Sequence, residues 1–102
     1  MNPAIDDLEE VMEKRVAIIT GGGRGLGRAF AKRLADEGTI AIIAEIDAVR
    51  ADNVAKEIIQ SGGRALAVQT DISDVDSVGA MTDKVMAEFG HIDILINNAA
   101  LL

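Results

Sequence analysis

Cysteine, tyrosine and tryptophan are all absent from this chain of 102 residues, and the single proline is Pro3. Without cysteine there is no disulfide, no thiolate metal site and no cysteine nucleophile. The only histidine, His91, has no second histidine with which to hold a metal, and we expect it to be a surface imidazole. Two phenylalanines are the only aromatic residues, so a mechanism that needs a phenol is excluded. A reducing compartment, the cytoplasm, suits such a composition.

Long apolar runs and an excess of basic residues are lacking as well. No run approaches the roughly 20 apolar residues that span a bilayer, and the acidic start is unlike a secretion signal, so we expect no membrane. A net charge of -7 disfavours nucleic acid as a partner, because phosphate binding needs a basic surface. With 49% apolar and 26% charged residues, the balance is that of one globular domain.

The first 14 residues differ from the rest of the chain in charge. Five acids lie within the first thirteen positions, whereas the remainder is nearly neutral. Four apolar residues recur among these acids at helical spacing: Ile5, Leu8, Val11 and Met12. We predict an acidic amphipathic lead over residues 1–14, which either packs on the surface or serves as an interaction element, and a separate domain over residues 15–102.

Short apolar runs alternate with amphipathic segments in the rest of the chain. Runs of strand length are typical of strands buried in a parallel sheet, and apolar residues spaced by three or four indicate helices. The predicted strands cover residues 15–20, 40–45, 64–70 and 92–96. The predicted helices cover residues 25–37, residues 48–60 and the stretch that Asp74 caps and Gly90 ends. This alternation indicates the α/β class.

Right-handed crossovers restrict how such elements are arranged. We predict a parallel sheet in the order 3-2-1-4, the first part of the doubly wound nucleotide-binding fold, with the switch point between strands one and four. The first two helices then cover one face of the sheet, and only the third covers the other. Strand four is left as an apolar edge, which favours self-association or a partner chain over it.

A glycine-rich loop follows strand one and opens the first helix. Its residues Thr20, Gly21, Gly25 and Gly27 fit the pattern Thr-Gly-x-x-x-Gly-x-Gly. Glycines allow the backbone to turn tightly and to approach a pyrophosphate, while the helix N-terminus supplies unpaired N–H donors and a partial positive charge. The sequence therefore predicts an anion site made of main-chain amides.

Three further landmarks follow the loop in order: Glu45 at the end of strand two, Asp71-Ile72 at the end of strand three and Asn97-Asn98-Ala99 after strand four. With these motifs the chain resembles the short-chain dehydrogenase/reductases over residues 15 to 100. The resemblance implies the cofactor-binding N-terminal half of a Rossmann-like α/β fold, reduced here to four strands and three crossover helices. It also implies a dinucleotide as partner.

The resemblance implies NAD(H) as cofactor, with NADP(H) as the less favoured alternative. An acid in the place of Glu45 holds the adenosine ribose hydroxyls in that family and repels a 2′-phosphate. Asp47 is the rival for this role, and a solvated strand-end carboxylate is the plainer interpretation of Glu45. Arg24 occupies a position at which NADP-preferring relatives often have a basic residue.

The remaining landmarks are expected to contact the adenosine or to support the sheet. The resemblance implies that the Asp71 side chain and the Ile72 N–H contact the adenine and that Asn97 braces the sheet. It also implies that the backbone at Asn98 and Ala99 approaches the adenosine ribose. Asp71 could alternatively only begin the turn into the third helix. The expected cofactor-binding residues are Gly21, Arg24, Gly25, Leu26, Gly27, Glu45, Asp71, Ile72, Asn98 and Ala99.

The family's chemistry uses a tyrosine, a lysine and a serine that lie beyond the Asn-Asn-Ala segment, so no catalytic residue is expected here. Ser61, Ser73 and Ser77 are interpreted as caps and turn formers far from the switch point. Ala100 stands where the family motif has a glycine, which would place a methyl group beside the cofactor. We expect either the NAD(H)-binding part of an oxidoreductase, inactive alone, or a non-catalytic nucleotide-binding or interaction protein that pairs through strand four.

Overall fold

The computed structural model describes residues 14–99, so nearly all of the acidic lead and Ala100 fall outside the described residues. Strands and helices alternate throughout this range. The strands are β1 (Val16–Thr20), β2 (Ile40–Glu45), β3 (Ala65–Gln69) and β4 (Ile94–Ile96), and the helices are α1 (Gly25–Asp36), α2 (Ala48–Gln60) and α3 (Val75–Phe89). The sheet is parallel in the order β3-β2-β1-β4, as the sequence predicted.

Burial follows the position of each strand in the sheet. Every residue of β1 and β2, the two central strands, is buried, which explains their continuous apolar sequence. One face of the sheet packs its alternate residues against α1 and α2 through a cluster that contains Ile19, Ile43 and Val54. The other face packs Ile18 and Ile42 against α3. The predicted division of two helices against one is therefore correct.

The helix ends show the physical signals that the sequence indicated. Asp74 is the N-cap of α3, and its Oδ1 accepts N–H groups of Asp76 at 2.9 Å and Ser77 at 3.4 Å. Gly90 ends that helix at a φ of 80°, a left-handed conformation that glycine adopts without strain. Four predicted boundaries were slightly too generous, since residues 15, 37, 64 and 70 lie just outside their strands or helix.

The start of β4 differs by two residues from the prediction, and Asp93 explains the difference. Its Oδ2 accepts the N–H of Val16 at 2.7 Å, while its own N–H donates to the Val16 carbonyl at 2.9 Å. A side-chain carboxylate thus replaces a strand carbonyl at this end of the sheet, so regular pairing begins at Ile94. His91 is half-buried beside it, with Nδ1 2.7 Å from the same oxygen.

These contacts make stability depend on pH. The Val16 N–H, then His91 and Arg15, hold the pKa of Asp93 below its ordinary value. A carboxyl whose pKa is lower in the folded state stabilises the fold above its unfolded-state pKa, and this contribution is lost as pH falls through the folded-state pKa. We expect Asp93→Asn to lose less stability than wild type between pH 6 and about pH 3. Urea unfolding across this range measures the difference, and equal losses in both proteins would contradict the prediction.

The outer side of β4 is the least covered part of the sheet. Within residues 14–99, β4 pairs with β1 alone, and Leu95 is 63% exposed. Beside Leu95, on the α3 face, lies an apolar cavity of about 350 Å³ bordered by Ile18, Met81 and Ile92. In the same part of the chain no helix has the length and apolar character needed to cross a bilayer.

Candidate functional site

The loop between β1 and α1 is shaped by backbone contacts that only glycine permits. Gly21 has a φ of 65°, and its N–H donates to the Ala44 carbonyl at 2.8 Å, which holds the loop against β2. A Cβ placed on Gly27 would overlap the Gly21 carbonyl oxygen and would lie 2.7 Å from Nδ2 of Asn98. The first turn of α1 therefore packs directly on the loop backbone.

The N-terminus of α1 differs from those of the other two helices. Asp47 and Asp74 cap α2 and α3 with their carboxylates, whereas the side chain at the N-cap of α1, Arg24, makes no capping hydrogen bond. The first turn of α1 contains no acid. Its N–H groups and the positive end of the helix dipole are thus available to an anion.

A cavity of about 510 Å³ opens at this helix N-terminus. Its lining combines the loop, the end of β2 and the segment after β4: Gly21, Arg24, Gly25, Leu26, Glu45, Ile46, Asn98 and Ala99. A second cavity of about 120 Å³ adjoins it and is lined by Gly21, Ala44, Glu45, Ile46, Thr70, Asp71, Ile72 and Ala99. Together the two cavities bring nine of the ten expected cofactor residues to one edge of the sheet, and Gly27 lies directly beneath the loop.

Glu45 is a buried carboxylate that joins β2 to the glycine loop. It is only 6% exposed, Oε1 accepts the N–H of Gly23 at 3.1 Å, and Oε2 accepts the N–H of Asp47 at 3.1 Å. The interpretation as a solvated strand-end carboxylate is therefore wrong. Asp47, the rival acid, uses its own carboxylate to cap α2 and lies 3.6 Å from Arg50.

Asp71 both borders the smaller cavity and begins the turn into α3. Its Oδ1 accepts the Ser73 hydroxyl at 2.6 Å and the Ser73 N–H at 2.9 Å, and these two bonds lower the pKa of Asp71. The N–H of Asp71 donates to Oγ of Ser77 at 2.9 Å. Ser73 forms this turn as expected, and Ser77, in the first turn of α3, holds the backbone of a residue that borders the cavity.

Thr20 is the residue whose role the sequence did not reveal. Its Oγ1 accepts the N–H of Asn98 at 2.9 Å and that of Ala99 at 3.1 Å, and it lies 3.3 Å from the Ile96 carbonyl. Asn98 in turn donates through Nδ2 to the Gly21 carbonyl at 3.3 Å. One hydroxyl thus fixes the chain after β4 against the glycine loop. The only signal in the sequence was a threonine at the end of a strand that is otherwise apolar.

Removing this hydroxyl should loosen both segments. Thr20→Val keeps the shape of the side chain but leaves two N–H groups without their acceptor, and we expect a loss of about 2 kcal/mol in the free energy of unfolding. Urea unfolding measures the loss. Thr20→Ser retains the hydroxyl and is the matched control, so the prediction fails if both variants lose the same stability.

Asn97 lies apart from Arg24 and Leu26, which flank the N-terminus of α1. Oδ1 of Asn97 lies 3.5 Å from Oγ1 of Thr20, and the residue borders the apolar cavity on the α3 face rather than the two cavities at the loop. Arg24 is exposed and Leu26 is 67% exposed, both at the rim of the larger cavity. Among the described residues no group of three His, Cys, Asp or Glu side chains could hold a metal ion.

Comparison with known proteins agrees with the family resemblance of the sequence motifs. The family model described as short chain dehydrogenase matches residues 15–102. The chain is 44% identical over 92 residues to cis-4-hydroxycyclohexanecarboxylate dehydrogenase of Sinomonas cyclohexanicum, covering 90% of this chain and 36% of that protein. It spans about a third of the length of the curated relatives it matches.

Two solved structures with cofactors resemble this fold. One is a metagenomic short-chain oxidoreductase in complex with NADP, at a TM-score of 0.83 and 33% identity, with 89% of this chain and 41% of that chain covered. The other is 3-ketoacyl-(acyl-carrier-protein) reductase from Brucella melitensis complexed with NADH, at a TM-score of 0.80 and 43% identity, with 88% and 36% covered. The glycine loop, the sheet order and the family match lead to one conclusion: this chain belongs to the short-chain dehydrogenase family and corresponds to an N-terminal part of its members.

Proposed function

We propose that residues 15–102 form the NAD(H)-binding part of an oxidoreductase of the short-chain dehydrogenase type. The observation that carries the proposal is the N-terminus of α1, which no described side chain caps and which opens into a cavity beside Gly21 and Gly25. A pyrophosphate placed there would accept N–H groups of the first turn of α1. At α2 and α3 the corresponding N–H groups donate to the carboxylates of Asp47 and Asp74. The adjoining smaller cavity, between Glu45 and Ile72, suits the adenosine end.

The position of Glu45 supports NAD over NADP. Its two oxygens each accept one backbone N–H, and a carboxylate has about four acceptor sites, so sites remain for the two hydroxyls of a ribose. A 2′-phosphate would instead place further negative charge against a buried carboxylate. The similar structures include an NADP complex and an NADH complex, so both cofactors occur among these relatives.

We further propose that these 102 residues alone turn over no alcohol or ketone. When bound, the nicotinamide would supply or accept a hydride, and the family's proton transfer uses a tyrosine hydroxyl. The sequence contains no tyrosine. What the described residues contribute is the binding and orientation of the cofactor: backbone amides at the diphosphate, Glu45 at the ribose, and the Ile72 amide at the adenine.

Titration of NADH fluorescence tests the binding proposal. A protein without tryptophan or tyrosine adds little fluorescence of its own, so the nucleotide signal is read directly. We expect saturable binding with a Kd between roughly micromolar and millimolar, since the described residues make only the adenosine-side contacts. Parallel competition with NAD, NADP and AMP compares the cofactors. No saturation at millimolar NADH would overturn the proposal.

A second candidate function is that of a non-catalytic nucleotide-binding or interaction protein. The exposed edge of β4 favours it, because Leu95 and the apolar cavity beside it present a surface that a second copy of this chain could cover. A Tyr-x-x-x-Lys segment encoded directly downstream would favour the oxidoreductase, and an intergenic gap the interaction protein.

Self-association through β4 is itself testable. We expect light scattering to show a mass that rises with protein concentration for wild type, and a smaller rise for Leu95→Lys, because a charge on this edge opposes pairing. Val75→Lys is the control, since Val75 is 85% exposed at the start of α3 and does not line the cavity beside β4. A wild-type monomer at every concentration would contradict the expectation.

A further inference from the structure

The exposed face of α1 combines apolar and basic side chains. Leu26 is 67% and Phe30 is 41% exposed, and Arg33, also exposed, follows them at a spacing of three residues. Residues three or four apart in a helix lie on the same side, so these three side chains form one stripe along α1. An exposed stripe of this kind is suited to a partner that is itself amphipathic.

Charge distinguishes α1 from the other two helices. Residues 24–37, which contain α1, have four bases and two acids, and both acids lie at the C-terminal end. Residues 47–60, around α2, have two bases and three acids, whereas residues 74–89, around α3, have one base and four acids. An acidic partner is therefore attracted to α1 and repelled by α3.

Ion pairs neutralise only part of the charge on α1. Oε2 of Glu57 lies 2.6 Å from Nη2 of Arg28 and 3.5 Å from Nζ of Lys32, so one carboxylate faces two cations. Arg33 pairs with Glu37 at 2.9 Å, but both side chains are more than half exposed, and such a pair is weak enough to exchange partners. A positive excess thus remains along the exposed face.

The acidic lead has the complementary composition and is joined to the domain at a suitable place. Its apolar residues Ile5, Leu8 and Met12 recur at helical spacing among five acids. The carbonyl of Arg15, directly after the lead, accepts the N–H of Ile40 at 2.8 Å, so the chain enters the sheet beside the connection from α1 to β2. Thirteen residues in helical form span about 20 Å, which is close to the length of α1.

We propose that the acidic lead docks along the exposed face of α1, with its apolar residues on Leu26 and Phe30 and its acids beside the bases of that helix. α1 returns to the edge of the sheet at which β1 begins, so a lead beside it runs in the same direction. Leu8 is six residues before Lys14, and Phe30 is six residues before Asp36, which places Leu8 opposite Phe30. The docked lead then forms part of the rim of the larger cavity, which Leu26 borders.

Disulfide trapping in the full chain tests this docking, because the chain has no cysteine of its own. Leu8→Cys combined with Phe30→Cys should form an intramolecular disulfide at least about tenfold faster than Leu8→Cys combined with Met86→Cys. Met86 is the matched control, since it lies on α3 and its exposure of 44% is close to that of Phe30. Non-reducing gels measure both rates. Equal rates, or a faster reaction at Met86, would overturn the inference.

Charge variants show whether the bases of α1 attract the lead. Glu9→Gln with Glu13→Gln should slow the disulfide at Phe30 about threefold, because these acids flank the apolar residues of the lead at helical spacing. Asp83→Asn with Glu88→Gln removes two exposed acids of α3 instead and should leave the rate unchanged. An equal rate in the two charge variants would contradict the inference, and so would a disulfide that joins two chains. None of these measurements involves a nucleotide, so their outcome is independent of the proposed function.

Discussion

Gly27→Ala is expected to weaken NADH binding. The added methyl group would overlap the Gly21 carbonyl oxygen and crowd Asn98 Nδ2. The carbonyl is part of the main chain, so it cannot move aside as the end of a flexible side chain can. The loop must then move off α1, which displaces the amides proposed to hold the diphosphate. We expect NADH affinity to fall at least about tenfold and the free energy of unfolding to fall by about 1–3 kcal/mol.

Gly79→Ala is the matched control for this substitution. Gly79 lies within α3, and a Cβ there would meet nothing within 4 Å. Alanine in a helix interior should raise the stability by about 0.5–1 kcal/mol and leave NADH binding unchanged. Fluorescence titration and urea unfolding of both variants give the comparison. Wild-type NADH affinity in Gly27→Ala would refute the assignment of the diphosphate to this loop.

Glu45→Gln is expected to relax the preference for NAD. Glutamine keeps the size of the side chain but removes the charge that opposes a 2′-phosphate, and unit charges about 4 Å apart interact by several kcal/mol at a protein surface. We expect the affinity for NADP relative to NAD to rise at least about tenfold, which corresponds to about 1.4 kcal/mol. Competition against NADH measures both affinities.

The same change also has a structural cost. The amide of glutamine can accept from only one of the two N–H groups, at Gly23 and Asp47, that the carboxylate now satisfies, so we expect a loss of about 1–3 kcal/mol in stability. The exposed Glu88 on α3 provides the control, since Glu88→Gln removes the same charge away from the loop. If Glu45→Gln leaves the ratio of NADP to NAD affinity unchanged, Glu45 does not border the ribose.

The spacing of apolar residues was sufficient to predict most strands and helices, because each of these elements has its own apolar pattern in the sequence. Predicted and observed bounds agree for β2 and α2, where a continuous apolar run and a capped amphipathic segment are both unambiguous. They disagree most at β4, because the side chain of Asp93 takes the place of a strand carbonyl opposite Val16. No local pattern distinguishes such a carboxylate from an ordinary residue before a strand.

The sequence alone determined the strand order, the position of the glycine loop and the family, since alternating periodicity, right-handed crossovers and glycine spacing are local or topological properties. The tertiary structure decided what each polar group at the site bonds to: that Glu45 is buried against Gly23, and that Thr20 fixes Asn98. These partners are 22 and 78 residues apart in the chain. They meet because the parallel register sets Thr20 opposite Ala44 and Ile19 opposite Ile96, and register follows from how the whole core packs.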